Sequence, residues 1–409
     1  MYPKFLSRIS VAILLCCLTS IQALAITTTR HSSKKKKITA HHRRGTPRVA
    51  AKVTLTTSSR YRSSLVQSAV YTRTRSTGLI KGGPWLEPTF ADSTFGDAVD
   101  GEDPQVRKAA VEALGPYNGT VVVADPFTGR ILSLVNQRLA LKSGFQPCST
   151  IKVVAALAAL SEGVIERNTT IRLARRSTFN LTTALAVSNN GYFAALGEKL
   201  GFDRVSYYSR LFGLGERAGL NIEGEQPGIL PVEPPDGGVG MMTSFGAGIS
   251  LTPLELTALL SAVANGGTLY YLQHPRSADD VTNLIPRVKR HLDIQNWIPE
   301  VKPGMMGAVE HGTARRAGFN NSETILGKTG TCTDQRTPTH LGWFGSFNDI
   351  GRNKLVVVVL LTGGKPVNGP VASGVAGAVY RNLSQQNYFA QSRPISPSAL
   401  VSTQICCNR

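Results

Sequence analysis

Three short strings of polar residues in the last two-thirds of the 409-residue chain have the residue types and spacing that acyl transfer through a serine requires. They are Ser149-Thr150-Ile151-Lys152, Ser188-Asn189-Asn190 and Lys328-Thr329-Gly330-Thr331, which read S-x-x-K, S-x-N and K-T-G. Each string alone would arise by chance in a chain of this length, whereas all three in this order would rarely do so. The set predicts an enzyme that forms a covalent intermediate on a serine.

The first string supplies a nucleophile and a base. The run from Ile151 to Leu160 is rich in Ala, Leu and Val, which predicts a helix with Ser149 in its first turn and Lys152 on the same face. A lysine can take the serine proton only if burial or nearby positive charge lowers its pKa, and Lys328 is the candidate for that charge. The backbone N–H of Ser149, at the helix N-terminus, is the predicted first oxyanion donor.

The second string is expected to assist proton transfer. Ser188 can relay the proton between Lys152 and the leaving nitrogen, and the Asn190 amide can hold Lys152 or the substrate backbone. S-x-N is a weak signal by itself and gains force only from the other two strings.

The third string is predicted to bind the substrate. It falls on a predicted strand whose edge can pair with an extended peptide. Gly330 permits a close approach, while Lys328 and the hydroxyls of Thr329 and Thr331 are expected to hold a carboxylate. The backbone N–H of Thr331 is the predicted second oxyanion donor.

Two competing interpretations of these residues fail. Gly327-Lys328-Thr329 matches the end of a phosphate-binding loop, but Ser322 occupies the position that needs glycine and no helix is predicted to follow. A Ser-His-Asp hydrolase is poorly supported because the chain has no G-x-S-x-G string. The predicted chemistry needs no cofactor, and no metal site is expected.

The elements that must position these strings are visible as periodic runs. Five strands are predicted, at 120–124, 131–135, 325–331, 341–347 and 355–361, and helices are predicted at 104–114, 151–160 and 374–383. The last strand is apolar at every position, which predicts a central strand covered on both faces. Two strands early and three late, with helices between them, predict one sheet built from both ends of the domain around a mainly helical insertion.

The strongly basic balance of the chain belongs to its N-terminal arm. The net charge is +19, but sixteen of the 45 Lys and Arg residues precede Glu87, the first acidic residue. The remaining 29 basic and 26 acidic residues nearly cancel. A nucleic-acid partner for the main domain is therefore not expected, and no aromatic-rich basic module is visible.

Residues 1–25 have the pattern of an export signal. Lys4 and Arg8 precede an apolar run from Ile9 to Leu18, and Ala23-Leu24-Ala25 supplies small residues for cleavage. The alternative is an uncleaved membrane anchor, for which an apolar stretch of about 17 residues is marginal. The prediction is an exported protein, in the periplasm or on the extracytoplasmic face of the cell membrane.

The composition also predicts the domain boundaries. Residues 26–63 are basic and poor in apolar residues, which predicts a disordered linker that either contacts anionic lipid or wall polymer or is a solvated spacer. Residues 64–103 are predicted to be an irregular lead-in, residues 104–385 the catalytic domain and residues 386–409 a flexible tail.

From about Gly115 to Leu383 the chain resembles the transpeptidase domain of penicillin-binding proteins. Besides the three strings, the resemblance is carried by Val121 to Pro126, Thr128-Gly129, Ala184 to Phe193, Phe245 to Gly267, Gly312-Thr313-Ala314 and Gly342 to Gly345. It implies a β-lactamase/transpeptidase-like α/β (α+β) fold, in which an antiparallel sheet of about five strands is flanked by helices and carries a mainly helical insertion. It also implies D,D-transpeptidation of peptidoglycan stem peptides ending in D-Ala-D-Ala, acylation of Ser149 by β-lactams, and partners among other cell-wall synthesis proteins.

The same residues leave other activities open. A D,D-carboxypeptidase differs only in letting water resolve the acyl-enzyme. The serine β-lactamases that use a carboxylated lysine usually carry an apolar residue where this chain has Asn190. A catalytically silent β-lactam sensor or wall-binding scaffold is a candidate of another class, although it would not need the Lys152 base beside Ser149.

Two pairs of cysteines add a separate hypothesis. Cys148 and Cys332 flank the nucleophile and the K-T-G-T strand, where members of the family that the chain resembles usually carry small residues. Both should face one cleft, and an exported protein meets oxidising conditions, so a Cys148–Cys332 bridge is one hypothesis and two packed thiols the other. Cys406 and Cys407 are adjacent, so intermolecular bridging or no role is expected for them.

Overall fold

A computed structural model of the chain describes residues 85–334, 338–349 and 353–390. The predicted export signal, the basic linker, the first part of the lead-in and the tail beyond residue 390 lie outside the described residues, as do Cys406 and Cys407.

Within these ranges the helices are α1 Pro104–Leu114, α2 Gln137–Ala140, α3 Lys152–Ser161, α4 Leu181–Ala186, α5 Asn190–Leu211, α6 Gly238–Phe245, α7 Pro253–Asn265, α8 Ala278–Thr282, α9 Ile298–Glu310, α10 Arg315–Gly318 and α11 Gly369–Gln385. Two 3₁₀ helices span Cys148–Ile151 and Tyr388–Ala390. The strands are β1 Gly119–Ala124, β2 Ile131–Val135, β3 Ile171–Ala174, β4 Ser177–Phe179, β5 Thr268–Tyr270, β6 Val288–His291, β7 Ile325–Asp334, β8 Thr339–Asn348 and β9 Val356–Gly363.

Both ends of the domain contribute to one five-stranded sheet. Its order is β2-β1-β9-β8-β7, and each neighbouring pair is antiparallel. β9 lies at the centre and all of its residues are buried, as the uniformly apolar run predicts. The predicted fold class, a mixed α/β fold with a five-stranded antiparallel sheet and flanking helices, is confirmed.

Helices cover both faces of the sheet and form two apolar cores. Successive side chains of a strand point to opposite faces, so β9 contributes alternately to each core. Val357 and Val359 pack in the core that includes α1 and α11, whereas Val356 and Val358 pack in the core that includes α3 and α7. The second core also receives the helical insertion between β2 and β7, which carries the first two polar strings.

Capping residues fix where the flanking helices begin. The Asp103 side chain accepts hydrogen bonds from Gln105 N and Val106 N, so α1 begins at Pro104. Asn368 caps α11 in the same way through Val371 N. The predicted start of this last helix at Gly374 was therefore too late.

Candidate active site

A tight turn presents Ser149 at the start of α3. Pro147 precedes the 3₁₀ turn, and the Thr150 hydroxyl donates a hydrogen bond to the Pro147 carbonyl at 2.7 Å. Cys148 has a φ of 51°, in the left-handed region that non-glycine residues rarely adopt. Cys148 and Thr150 are buried, while Ser149 is partly exposed and thus the accessible side chain of the turn.

The Lys152 amine lies beside Ser149 and is surrounded by oxygen atoms. Lys152 Nζ is 3.0 Å from Ser149 Oγ, 2.8 Å from Ser188 O, 3.0 Å from Ser188 Oγ and 2.6 Å from Asn190 Oδ1. The two carbonyl oxygens can only accept hydrogen bonds, so they take both N–H groups of a neutral amine. Its lone pair is then available to accept a proton from a neighbouring hydroxyl.

Burial favours the neutral form of the Lys152 amine. The side chain is fully buried, and this desolvation lowers the pKa of Lys152 to about 7. Of the two causes that the sequence offered, burial and the charge of Lys328, burial is the one that lowers the Lys152 pKa. The Phe193 ring lies next to the same amine, with its centroid 5.6 Å from Lys152 Nζ.

Ser188 and Asn190 reach the site from the junction between α4 and α5. Ser188 lies between the two helices with a φ of 57°, and Asn189 then caps α5 by accepting from Tyr192 N at 2.8 Å. This geometry turns the Ser188 hydroxyl toward Lys152 and places Asn190 in the first turn of α5. Both polar side chains of the S-x-N string therefore contact the Lys152 amine.

Lys328 approaches the same hydroxyl from the sheet. Its Nζ atom lies 2.8 Å from Ser188 Oγ and 3.0 Å from the carbonyl oxygen of Thr329. Lys328 is buried, and this burial together with the positive charge of Lys152 lowers its pKa well below the usual value. In this arrangement its amine lies beside the Ser188 hydroxyl rather than at the open surface of the strand.

Alternation along β7 divides the third string between two faces. Gly330 lies against the 3₁₀ turn that carries Ser149, called the nucleophile turn below. An added Cβ at Gly330 would be 2.9 Å from Pro147 O and 3.2 Å from Cys148 Cβ. The hydroxyls of Thr329 and Thr331 lie on the other face, where Thr331 Oγ1 accepts a hydrogen bond from Gly369 N at 2.7 Å. Among the described strands, β7 pairs only with β8, so its other edge can accept an extended peptide.

One hydroxyl near the strand had no role assigned from the sequence. Thr313 Oγ1 is 2.6 Å from Thr329 Oγ1, and Thr313 N donates to the carbonyl of Ala186 at the end of α4. Gly312-Thr313-Ala314 was visible as a string, but nothing in its composition indicated that it would join the K-T-G-T residues.

Cys148 and Cys332 form a disulfide between the nucleophile turn and β7. Their Cα atoms are 5.6 Å apart across a sequence separation of 184. The bridge confirms the pairing hypothesis over the alternative of two packed thiols.

Comparison with known proteins assigns the domain to a family. The family model "Penicillin binding protein transpeptidase domain" matches residues 119–385, well over half of the chain. The chain belongs to this family.

Curated relatives of this transpeptidase domain are distant. It is 29% identical over 310 residues to "Stage V sporulation protein D" of Bacillus subtilis, a match that covers 66% of this chain and 48% of that protein. It is 27% identical over 349 residues to "Peptidoglycan D,D-transpeptidase PbpA" of Mycobacterium tuberculosis, covering 68% of this chain and 70% of the relative. The chain thus spans about half the length of the first of these relatives.

A solved structure supports the fold. The transpeptidase domain resembles "Crystal structure of Pseudomonas aeruginosa PBP2 in complex with WCK 5153" with a TM-score of 0.60 and 24% identity, over 70% of this chain and 77% of that one. The family resemblance drawn from the sequence is confirmed by the match to the family model over residues 119–385. In the part of the chain that the structure describes, none of the helices is long and apolar enough to cross a membrane. No cluster of three or more His, Cys, Asp or Glu side chains suited to a metal ion occurs there either.

Proposed function

We propose that this transpeptidase domain catalyses D,D-transpeptidation of peptidoglycan stem peptides that end in D-Ala-D-Ala, through an acyl-enzyme on Ser149. The observation that carries the proposal is the contact of Lys152 Nζ with Ser149 Oγ at 3.0 Å, combined with a Lys152 pKa of about 7. The names of the Mycobacterium tuberculosis relative and of Escherichia coli "Peptidoglycan D,D-transpeptidase MrdA", which is 26% identical over 256 residues, support the same reaction.

Acylation begins with proton transfer from Ser149. Neutral Lys152 accepts the Oγ proton while Oγ attacks the carbonyl carbon of the penultimate D-Ala. The backbone N–H groups of Ser149 and Thr331 stabilise the negative charge on the former carbonyl oxygen. The proton then passes from Lys152 through the Ser188 hydroxyl to the leaving nitrogen, and D-Ala departs as the peptide bond breaks.

The substrate is held along β7. The stem peptide adds as an extended strand on the free edge, with Gly330 allowing close approach to the Ser149 turn. Its terminal carboxylate accepts hydrogen bonds from the hydroxyls of Thr329, Thr331 and Thr313. Asn190 holds Lys152 through the 2.6 Å contact with Nζ.

An amine from a second stem peptide resolves the acyl-enzyme. Lys152 accepts a proton from the attacking amine, the new peptide bond forms at the acyl carbon, and the proton returns to Ser149 Oγ as it leaves. β-Lactams acylate the same serine because their strained amide presents its carbonyl carbon to the same nucleophile.

We place this activity outside the cytoplasm. Peptidoglycan, the substrate named for two of the relatives, is the wall polymer, and residues 1–25 have the pattern of an export signal. The basic segment at 26–63 is suited to contact anionic lipid or wall polymer on that side, and other cell-wall synthesis proteins are the expected partners.

The test uses a synthetic stem peptide ending in D-Ala-D-Ala, with and without an amine acceptor, and mass spectrometry of the products. The purified full chain should release D-Ala and join the shortened peptide to the acceptor, and Ser149→Ala should do neither. Hydrolysed peptide without acceptor product would identify a D,D-carboxypeptidase instead. Rapid hydrolysis of penicillin with an intact peptide would identify a β-lactamase. A folded chain that neither binds penicillin covalently nor releases D-Ala would be a non-catalytic binder.

A further inference from the structure

We propose that the Cys148–Cys332 disulfide aligns the two backbone N–H groups of the oxyanion hole, so that both cysteines are positioning residues for acylation of Ser149. The inference rests on the proposed function, since that function assigns the oxyanion donors to Ser149 and Thr331.

The disulfide connects the residues adjacent to both donors. Cys148 directly precedes Ser149, and Cys332 directly follows Thr331. These neighbours belong to different parts of the fold, because Cys148 lies at the start of the helical insertion and Cys332 lies in β7 of the sheet. The bridge across 184 residues therefore sets the distance between the two donors by a covalent link.

The backbone of Cys148 has a left-handed conformation, which is unfavourable for a residue other than glycine and must be held by surrounding contacts. Its φ of 51° lies in the left-handed region, and the peptide plane that carries the Ser149 N–H begins at the Cys148 carbonyl. Rotation about the Cys148 backbone would turn this N–H away from the oxyanion. Since the Cys148 side chain is fully buried and bonded to β7, the disulfide opposes that rotation.

Other contacts hold the turn as well. Within it, the Thr150 N–H and hydroxyl both donate to Pro147 O, and two further contacts tie it to the sheet. Trp343 Nε1 donates to Gln146 O at 3.0 Å, and Gln146 N donates to an Asp334 carboxylate oxygen at 3.3 Å. Both contacts involve Gln146, two residues before Cys148. Loss of the disulfide should therefore leave the domain folded while the Ser149 N–H loses its alignment.

The test compares Cys148→Ala/Cys332→Ala with the control Cys406→Ala/Cys407→Ala, using stopped-flow acylation by a fluorescent penicillin. Removal of one oxyanion donor costs about 100- to 1000-fold in rate, so we expect misalignment to lower the first-order acylation constant by about 10- to 100-fold. The dissociation constant of the complex that precedes acylation should change less than about threefold. The control should match wild type in both constants.

A purely structural disulfide would give a different result. In that case the double variant would unfold at a lower temperature, but its first-order acylation constant, measured well below that temperature, would equal that of wild type. This outcome would overturn the inference. Thermal unfolding followed by circular dichroism gives the required temperatures.

Reduction of the wild-type protein provides a reversible version of the test. Dithiothreitol supplies two electrons and two protons to the disulfide and is itself oxidised to a cyclic disulfide. We expect reduced wild type to acylate at the rate of the double variant and to recover on reoxidation, while the double variant is indifferent to reductant. Unchanged acylation of fully reduced wild type would overturn this inference alone. Failure of oxidised wild type to be acylated at all would overturn the proposed function.

Discussion

The amines of Lys152 and Lys328 both lie within hydrogen-bonding distance of a single hydroxyl. Ser188 Oγ is 3.0 Å from Lys152 Nζ and 2.8 Å from Lys328 Nζ. Burial lowers the pKa of Lys152 to about 7, and burial together with the positive charge of Lys152 lowers the pKa of Lys328 well below its usual value. Burial therefore favours a neutral amine at Lys152, next to Ser149.

The neutral state of Lys152 predicts how acylation depends on pH. Burial lowers the pKa of Lys152 to about 7, so the fraction of neutral amine and the acylation rate should rise as pH increases through about 7. Lys152→Arg stays protonated, so its rate should be about 100- to 10,000-fold lower and should show no rise near neutrality. Second-order acylation constants for a fluorescent penicillin from pH 5.5 to 9 provide the measurement. A wild-type rate in the arginine variant would refute a base role for Lys152.

Asn190→Asp should move this profile. Asn190 Oδ1 is 2.6 Å from Lys152 Nζ, and a carboxylate at this position would stabilise the charged amine. The pKa of Lys152 should rise, so the midpoint of the pH–rate profile should move upward by at least about one pH unit.

Asn189→Asp is the matched control for that variant. Asn189 caps α5, a role that aspartate also performs, and its side chain accepts from Tyr192 N rather than from Lys152. Its midpoint should move much less than that of Asn190→Asp. Equal displacement in the two variants would mean that the Asn190 contact does not control the Lys152 charge.

Gly330→Ala should separate β7 from the nucleophile turn. The added Cβ would lie 2.9 Å from Pro147 O and 3.1 Å from Trp343 Cβ, closer than normal packing allows. We expect a loss of about 1–3 kcal/mol in the free energy of unfolding and a lower acylation rate. Gly374→Ala in α11, where the nearest atom would be 3.5 Å away, should be neutral or stabilising. Urea denaturation measures both, and equal stabilities of the two variants would contradict the close approach.

Glu255 should make the stability of the domain depend on pH. It is buried, accepts hydrogen bonds from the backbone N–H groups of Thr252, Gly215 and Gly228, and has a pKa raised to about 7 because burial outweighs these bonds. A raised folded-state pKa contributes stability at low pH that is lost as pH rises from about 4.5 through about 7.

The test is the stability difference between wild type and Glu255→Gln. The free energy of unfolding of wild type minus that of Glu255→Gln should be larger at pH 5 than at pH 8. The reason is that only the wild-type protein must bury a charge at the higher pH. The exposed Glu310→Gln should show no such dependence. A difference independent of pH would rule out a raised pKa at Glu255.

The elements of the fold could be predicted where local sequence determines them. The apolar, valine-rich run at 355–361 specifies a buried strand, and Asp103-Pro104 specifies a helix start. The start of α11 was missed because Asn368 caps a first turn that contains Gly369 and Pro370, residues that read as a turn before the helix.

The site could be predicted only as a set of residue types. The three strings named the chemistry, but they lie on three separate elements, and distances between side chains depend on how those elements pack. The position of Lys328 at Ser188 and the Thr313–Thr329 contact are such packing results. The choice between burial and the Lys328 charge as the cause of the lowered Lys152 pKa is another, because the degree of burial is a property of the folded core rather than of the string.

The most direct test of the central claim is covalent labelling by penicillin. Intact-mass spectrometry of the full chain should show one penicilloyl group, and peptide mapping should locate it on Ser149. Ser149→Ala should remain unlabelled, while Ser143→Ala, a change on the exposed loop before the turn, should be labelled as wild type is. A label that persists in folded Ser149→Ala, or a wild-type chain that takes no label, would contradict the assignment of Ser149 as the nucleophile.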